Sequence, residues 1–66
     1  MVTDMNGVEI KKGCAVIIHQ DDGTRTALVV QLFDDCPTVN QAGWWVDVDG
    51  GDGVEGMMSY ILEVEN

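Results

Sequence analysis

Four carboxylates are concentrated around one glycine-rich segment, at Asp47, Asp49, Asp52 and Glu55. Oxygen ligands at this density are those that a hard cation such as Ca²⁺ prefers. The spacing differs from that of an EF-hand loop, because the third aspartate comes one residue late and no glutamate closes the loop at its twelfth position. We therefore interpret these acids as the solvated side of a hairpin and expect no metal site, with a cation site as the minor alternative.

The residue types needed for acid-base or nucleophilic chemistry are few. His19 precedes Asp21 and Asp22, which could raise the pKa of its imidazole or help it ligate zinc. No second histidine or closely spaced cysteine pair completes a zinc site, so a surface histidine near a turn is the simpler interpretation. Ser59 and the two cysteines share that one histidine, and no spacing pairs them as a catalytic triad requires. We expect no catalytic residues, no cofactor and no enzyme activity.

Length and charge restrict the classes of partner. The 66 residues suffice for one small domain, and three basic against twelve acidic residues give a net charge of −9. This charge repels phosphate backbones and anionic lipid, so we expect no direct nucleic-acid or membrane binding. There is no apolar run that would serve as a signal peptide or membrane span. With only Cys14 and Cys36, we expect reduced thiols in a cytoplasmic protein and leave a single disulfide between them open.

The periodicity of the chain is that of short strands. Residues 1–6 are expected to form a flexible N-terminal arm, and residues 7–66 a single domain. The predicted strands are residues 14–20, 26–33, 43–49, 54–58 and 62–65. A turn at 21–24 contains Asp-Gly, the longest loop spans 34–42, and a single helical turn at 59–61 precedes the last strand.

Alternation along two of these strands predicts which side chains face the core. The side chains expected to point inward are Leu28, Val30, Leu32, Trp44, Val46 and Val48. Those expected to point outward are Ala27, Val29, Gln31, Phe33, Trp45, Asp47 and Asp49. Large apolar side chains on the outer side of a small domain indicate either an interface or partial burial against loops.

An outward patch of aromatic, apolar and acidic side chains is the candidate site. Its predicted partner-binding residues are Trp45, Phe33, Val29, Met57, Asp47 and Asp49. Aromatic side chains dominate binding energy at protein interfaces, and a ring of carboxylates favours a basic partner. We therefore expect a protein partner of basic character, or self-association into a homo-oligomer.

Five short strands bury a shared face only by curling over one another, so we predict an all-β, five-stranded barrel with one short helical turn. Residues 13–18 (GCAVII) look like the G-x-x-V-x-V opening strand of small bacterial SH3-like barrels of the KOW or Tudor type. The W-x-V-x-V pattern of residues 44–48 is similar to their central strand, and Tyr60-Ile61 resembles the turn that closes them. The resemblance implies an SH3-like barrel over residues 7–66. It carries no proline-rich peptide recognition, since the A-L-Y-D-Y stretch is absent.

A weaker similarity is to the plasmid-borne type II dihydrofolate reductases, SH3-like barrels that form tetramers around a central pore. Residues 54–66 align with their C-terminal pattern V-Q-I-Y-P-V-A-A-L-E-R-I-N and are identical at four of thirteen positions. The Gln, Ile and Tyr that line that pore are replaced by Glu55, Gly56 and Met57. The similarity therefore implies a shared architecture and not the reductase activity, because an acidic pore repels a phosphate-bearing cofactor.

Two hypotheses of function follow from these observations. The preferred one is a non-enzymatic acidic binding module that holds a protein partner, or itself, through the aromatic patch. The alternative is an oligomeric barrel that binds a small ligand at a symmetric pore. The mass in solution separates them, because only the pore requires a tetramer.

The excess of carboxylates predicts that added salt stabilises the fold. Like charges crowded on a small domain repel one another, and the repulsion is screened within a Debye length of about 10 Å at 0.1 M salt. We expect the melting temperature to rise between low and near-physiological sodium chloride, measured by circular dichroism. A flat or falling melting temperature would mean that the acids are paired or hold a cation, and chelator sensitivity would separate these two cases.

Overall fold

The computed structural model describes residues 1–37 and 43–65, and for residues 34–37 it describes the backbone only. The strands are β1 (Ala15–Gln20), β2 (Gly23–Pro37), β3 (Trp44–Asp49), β4 (Val54–Met58) and β5 (Leu62–Val64). A single 3₁₀ turn, Ser59–Ile61, connects β4 to β5. The predicted strands and helical turn are confirmed. The predicted loop over 34–42 is wrong at its start, because β2 continues to Pro37, and its remainder lies outside the described residues.

All five strands belong to one antiparallel sheet, in the order β4-β3-β2-β1-β5. The long β2 lies at the centre and pairs with both β1 and β3. For residues 1–37 and 43–65, the prediction of an all-β fold with one short helical turn is confirmed. In the described ranges β4 and β5 do not pair with each other, so the sheet is not closed into a barrel. No helix in those ranges is long and apolar enough to cross a membrane.

One side of the sheet carries the core. Its buried apolar side chains are Val2, Ile10, Val16, Ile18, Ala27, Val29, Val46, Val48, Met57 and Leu62. Cys14, Leu32, Trp44, Ile61 and Val64 pack against this cluster from its margins. The inward direction predicted for the alternate side chains of β3 is therefore confirmed. Small β-branched residues dominate because they pack well on a pleated surface.

The direction predicted for the first half of β2 is wrong. Val29 is only 2% exposed, whereas Leu28 is 54% exposed. The register between β2 and β3 shifts by one between Val29 and Gln31, so Val30 is an extra residue without a partner on β3. Such a β-bulge reverses the alternation. It lets Ala27, Val29 and Leu32 all meet the core, while Leu28 faces outward.

The N-terminal segment, residues 1–10, packs against the sheet, and the flexibility expected for residues 1–6 stays a prediction. Val2 and Ile10 are buried, and the backbone N–H of Ile10 donates to the carbonyl of Val2. The backbone N–H of Met5 donates to the carbonyl of Leu62 over 2.9 Å, which brings the segment alongside β5. This segment therefore covers the outer edge of β5.

Asp4 fixes this segment with its buried carboxylate. Oδ1 accepts backbone hydrogen bonds from Asn6 over 2.9 Å and Val8 over 2.8 Å, and Oδ2 accepts one from Val64 over 2.7 Å. Burial raises the pKa of Asp4, but hydrogen bonds led by that from Val64 more than offset it and hold the pKa below its ordinary value. The ionised carboxylate therefore stabilises the folded state.

Asp4→Asn is expected to destabilise the protein by about 2 kcal/mol, because the amide NH₂ would face the N–H of Val64 and leave a buried donor unsatisfied. Because the pKa of Asp4 is lowered by folding, its ionic contribution is complete above the unfolded value of about 3.9 and is lost as pH falls through the folded pKa. Urea unfolding from pH 7 to 3 should show the difference between parent and Asp4→Asn shrinking at the acidic end. A difference that is constant with pH would contradict this role of the charge.

Candidate functional site

The side of the sheet opposite the core brings together aromatic, apolar and acidic residues from β2, β3 and β4. Cross-strand pairing arranges them in three rows: Phe33–Trp45–Met58, Gln31–Asp47–Gly56 and Leu28–Asp49–Val54. Side chains in such rows are direct neighbours. We call this surface the outer face, and it is the candidate functional site.

The indole of Trp45 lies against the backbone of Gly56 and fills the space that a side chain there would need. A Cβ placed on Gly56 would be 1.9 Å from Cζ2 and 2.4 Å from Cε2 of the indole. No side chain fits in that space, so glycine at this position of β4 allows the ring to cover the strand. The indole is thereby held against its own domain, while Trp45 as a residue remains 41% exposed.

The indole is also held at its edge. Its Nε1 donates a hydrogen bond of 3.1 Å to Oδ1 of Asp47, the neighbour two residues along the same strand. This bond satisfies the polar atom of the ring and fixes a carboxylate beside it. A rigid aromatic surface next to a negative charge suits a cationic side chain, because both the ring face and the carboxylate attract it.

Asp49 and Glu55, two other carboxylates near the glycine-rich turn, make different contacts. Asp49 accepts a hydrogen bond from the backbone N–H of Gly51 over 2.8 Å and so shapes the turn between β3 and β4. Glu55 forms an ion pair with Arg25 from the start of β2. Within the described residues, no group of three or more histidine, cysteine or acidic side chains could hold a metal ion. Asp47 and Asp49 thus contribute their charge to the outer face.

The structure brings together four of the six predicted partner-binding residues: Trp45, Phe33, Asp47 and Asp49. The exposure expected for the other two is wrong. Val29 is buried because the bulge turns it toward the core. Met57 is buried because it lies opposite Val46, whereas its neighbour Met58 lies opposite Trp45.

Four residues of the outer face were missed from the sequence: Leu28, Val54, Gly56 and Met58. Leu28 and Val54 flank Asp49 and are 54% and 59% exposed. Gly56 carries the indole. Only Gly56 had a usable signal, because a glycine inside a strand indicates a close approach by another group.

The residues considered for acid-base and nucleophilic chemistry have other contacts. His19 Nε2 lies 2.9 Å from Oε1 of Glu63, across the β1–β5 pair, and both side chains are more than a third exposed. Ser59 is buried, and its Oγ accepts the backbone N–H of Trp44 over 2.8 Å. Cys14 is a free, half-buried thiol at the margin of the core, and the side chain of Cys36 lies outside the described residues. His19 and Ser59 therefore both make contacts that stabilise the fold.

Comparison of the chain with protein-family models, with curated proteins and with solved structures gives no match.

Gly56→Ala is expected to displace the indole, since its methyl group would occupy the position of the ring. We expect a loss of about 1 kcal/mol of stability, at the low end of the range for overpacking because the ring is partly exposed. In the parent, the ring current of Trp45 should shift the α-proton resonances of Gly56, and Trp45→Ala should abolish that shift. In Gly56→Ala, the chemical shift of the indole N–H proton should change, because its hydrogen bond to Asp47 is lost.

Val54→Ala is the matched control, because Val54 lies on the same strand and is largely exposed. It should leave the Gly56 shift unchanged. A Gly56→Ala protein with parental stability and an unmoved indole N–H signal would show that the ring does not lie over β4.

Proposed function

We propose that this protein is a non-enzymatic binding module whose outer face holds a basic protein partner. One observation carries the proposal: a partly exposed tryptophan is fixed by Gly56 and Asp47 in a conformation ready for contact. An ordered aromatic side chain loses little conformational entropy on binding and supplies a large rigid contact area. Phe33 extends the aromatic surface along the same row.

Charge supports a basic partner. The net charge of −9 attracts cations over a distance of about a Debye length and speeds encounter with a basic surface. On the outer face, Asp47 and Asp49 have no lysine or arginine among their direct cross-strand neighbours. Arg25 is engaged by Glu55. An incoming cationic side chain therefore meets carboxylates that no basic neighbour neutralises.

The SH3-like barrel belongs to the same proposal. It is supported by the strand order, by the long central strand β2, which pairs with β1 on one side and β3 on the other, and by the 3₁₀ turn directly before β5. Bending of β2 at the bulge would fold the β1–β2–β5 part over the β2–β3–β4 part, with the core between them. In such a barrel the outer face stays on the outside, available to a partner.

The alternative, a tetramer with a ligand-binding pore, has less support. The three residues that align with the pore-lining positions of the reductases make other contacts in this structure. Glu55 pairs with Arg25, Gly56 lies under an indole, and Met57 is buried in the core. These groups are occupied within one chain, whereas a pore would need their side chains presented to other subunits. Sedimentation is expected to give a monomer for a module that binds a different protein, and a tetramer would favour the pore.

The double variant Asp47→Asn, Asp49→Asn is expected to bind a basic probe several-fold more weakly than the parent. The probe is a flexible peptide of alternating lysine and glycine, followed by NMR titration. Trp45→Ala should weaken binding as well, by about 2 kcal/mol or more, the scale found at interface hot spots. Chemical-shift changes should be concentrated on β3 and β4.

The matched control is Asp21→Asn, Asp22→Asn in the turn between β1 and β2, which removes the same charge away from the outer face. It should reduce affinity by much less. If the two double variants weaken binding equally, the peptide is responding to net charge alone and the outer face is not the site.

A further inference from the structure

The two edges of the sheet differ in how they are covered. The edge of β5 is covered by the N-terminal segment, through the bond from Met5 to Leu62 and the carboxylate of Asp4 on the N–H of Val64. The edge formed by β4 pairs only with β3 in the part of the chain that the structure describes. Every second N–H and C=O of such an edge strand points away from its sheet.

β4 has only part of the usual protection of an open edge, since it is short and carries the one charge of Glu55. Natural proteins guard such strands with lysine, proline or a bulge. The five residues of β4 (VEGMM) include no lysine or proline, and their pairing with β3 is regular. The single charge, that of Glu55, is paired with Arg25. Val54, Glu55 and Gly56 are exposed, whereas Met57 is buried and Met58 is half-buried, so the first half of β4 is the part of this edge that another strand can reach.

Charge decides which strand fits there. A second copy of this chain would bring another net charge of −9 against the same surface, so self-pairing is opposed by long-range repulsion. A basic segment is attracted instead. Neighbouring strands lie about 4.8 Å apart, which puts a residue of an added strand opposite Gly56 within about 10 Å of Asp47. A lysine or arginine side chain, the side chain of Asp47 and the hydrogen bond between them together span that distance, and the indole of Trp45 beside Gly56 lies along this path.

We propose that β4 binds an extended, lysine- or arginine-bearing peptide by strand addition, with its basic side chains directed onto Trp45 and Asp47. The backbone ladder would supply affinity, and the outer face would select cationic residues at every second position. This inference rests on the proposed function of the outer face and adds the conformation and position of the bound segment.

The test compares two peptides of equal charge, one with alternating lysine and valine and the other with alternating lysine and proline. Proline has no N–H and cannot continue a strand ladder. We expect the lysine-valine peptide to bind the parent about tenfold more tightly, in line with a contribution from the added ladder. Its binding should slow hydrogen exchange at every second amide of β4, and a glutamate-valine peptide should not bind.

The matched variants are Val54→Lys and Leu28→Lys, which make the same change at two similarly exposed positions. Both flank Asp49 on the outer face, but Val54 lies on the open edge and Leu28 two strands away on β2. We expect Val54→Lys to weaken lysine-valine binding several-fold more than Leu28→Lys. Thermal melts of both variants should verify that they remain folded.

The outcomes separate this inference from the proposed function. If both basic peptides bind equally and the amides of β4 stay unprotected, strand addition is wrong. The proposed function survives that result only where Trp45→Ala and Asp47→Asn still weaken binding. A dimer in sedimentation whose β4 amides are protected without peptide would show that a second copy occupies the edge and would overturn the basic occupant.

Discussion

The extra residue in β2 decides which side chains of this sheet form the core and which form the outer face. β2 pairs with β1 through its first half and with β3 through most of its length, so its register fixes both neighbours. Without the bulge at Val30, uninterrupted alternation from Val29 would turn Phe33 inward and Leu32 outward. With it, Phe33 lies opposite Trp45, and Leu32 lies opposite the buried Val46. The aromatic row therefore depends on one unpaired residue near the middle of the sheet.

The N-terminal segment completes the fold at the opposite end of the sheet. A carboxylate buried without partners would oppose folding, but three backbone donors hold Asp4 in its ionised form. Through Val64, this group ties the beginning of the chain to its last strand. The same segment adds Val2 and Ile10 to a core that would otherwise be small for a domain of this length. Covering β5 also leaves the two edges of the sheet unlike each other.

Local patterns predicted the strands, and long-range constraints account for what they missed. The alternation of residues 44–49 gave the correct direction for every side chain of β3, because no irregularity interrupts it. Along β2 the same reasoning failed at Leu28 and Val29, since a run of apolar residues does not reveal where a bulge lies. The contact of Asp4 with Val64 is invisible to local patterns, because it spans 60 residues of sequence. Within the site, Trp45 and its acidic neighbours were predictable, whereas its packing on Gly56 needed the register of β4.

The negative charge of the protein bears on which chains can pair with the edge of β4. An unprotected edge strand is an aggregation hazard, since identical copies offer each other the same backbone groups. In this protein the hazard is countered by charge spread over the whole domain, because every copy repels every other before their edges can meet. Such protection acts against acidic or identical chains and does not exclude a basic one. Lysines placed on β4 would instead have discouraged strand pairing with every kind of chain, including a basic one. A strongly acidic domain can thus keep one edge available to a cationic segment, and in the binding proposed above the indole beside that edge would distinguish a fitting segment from a free cation.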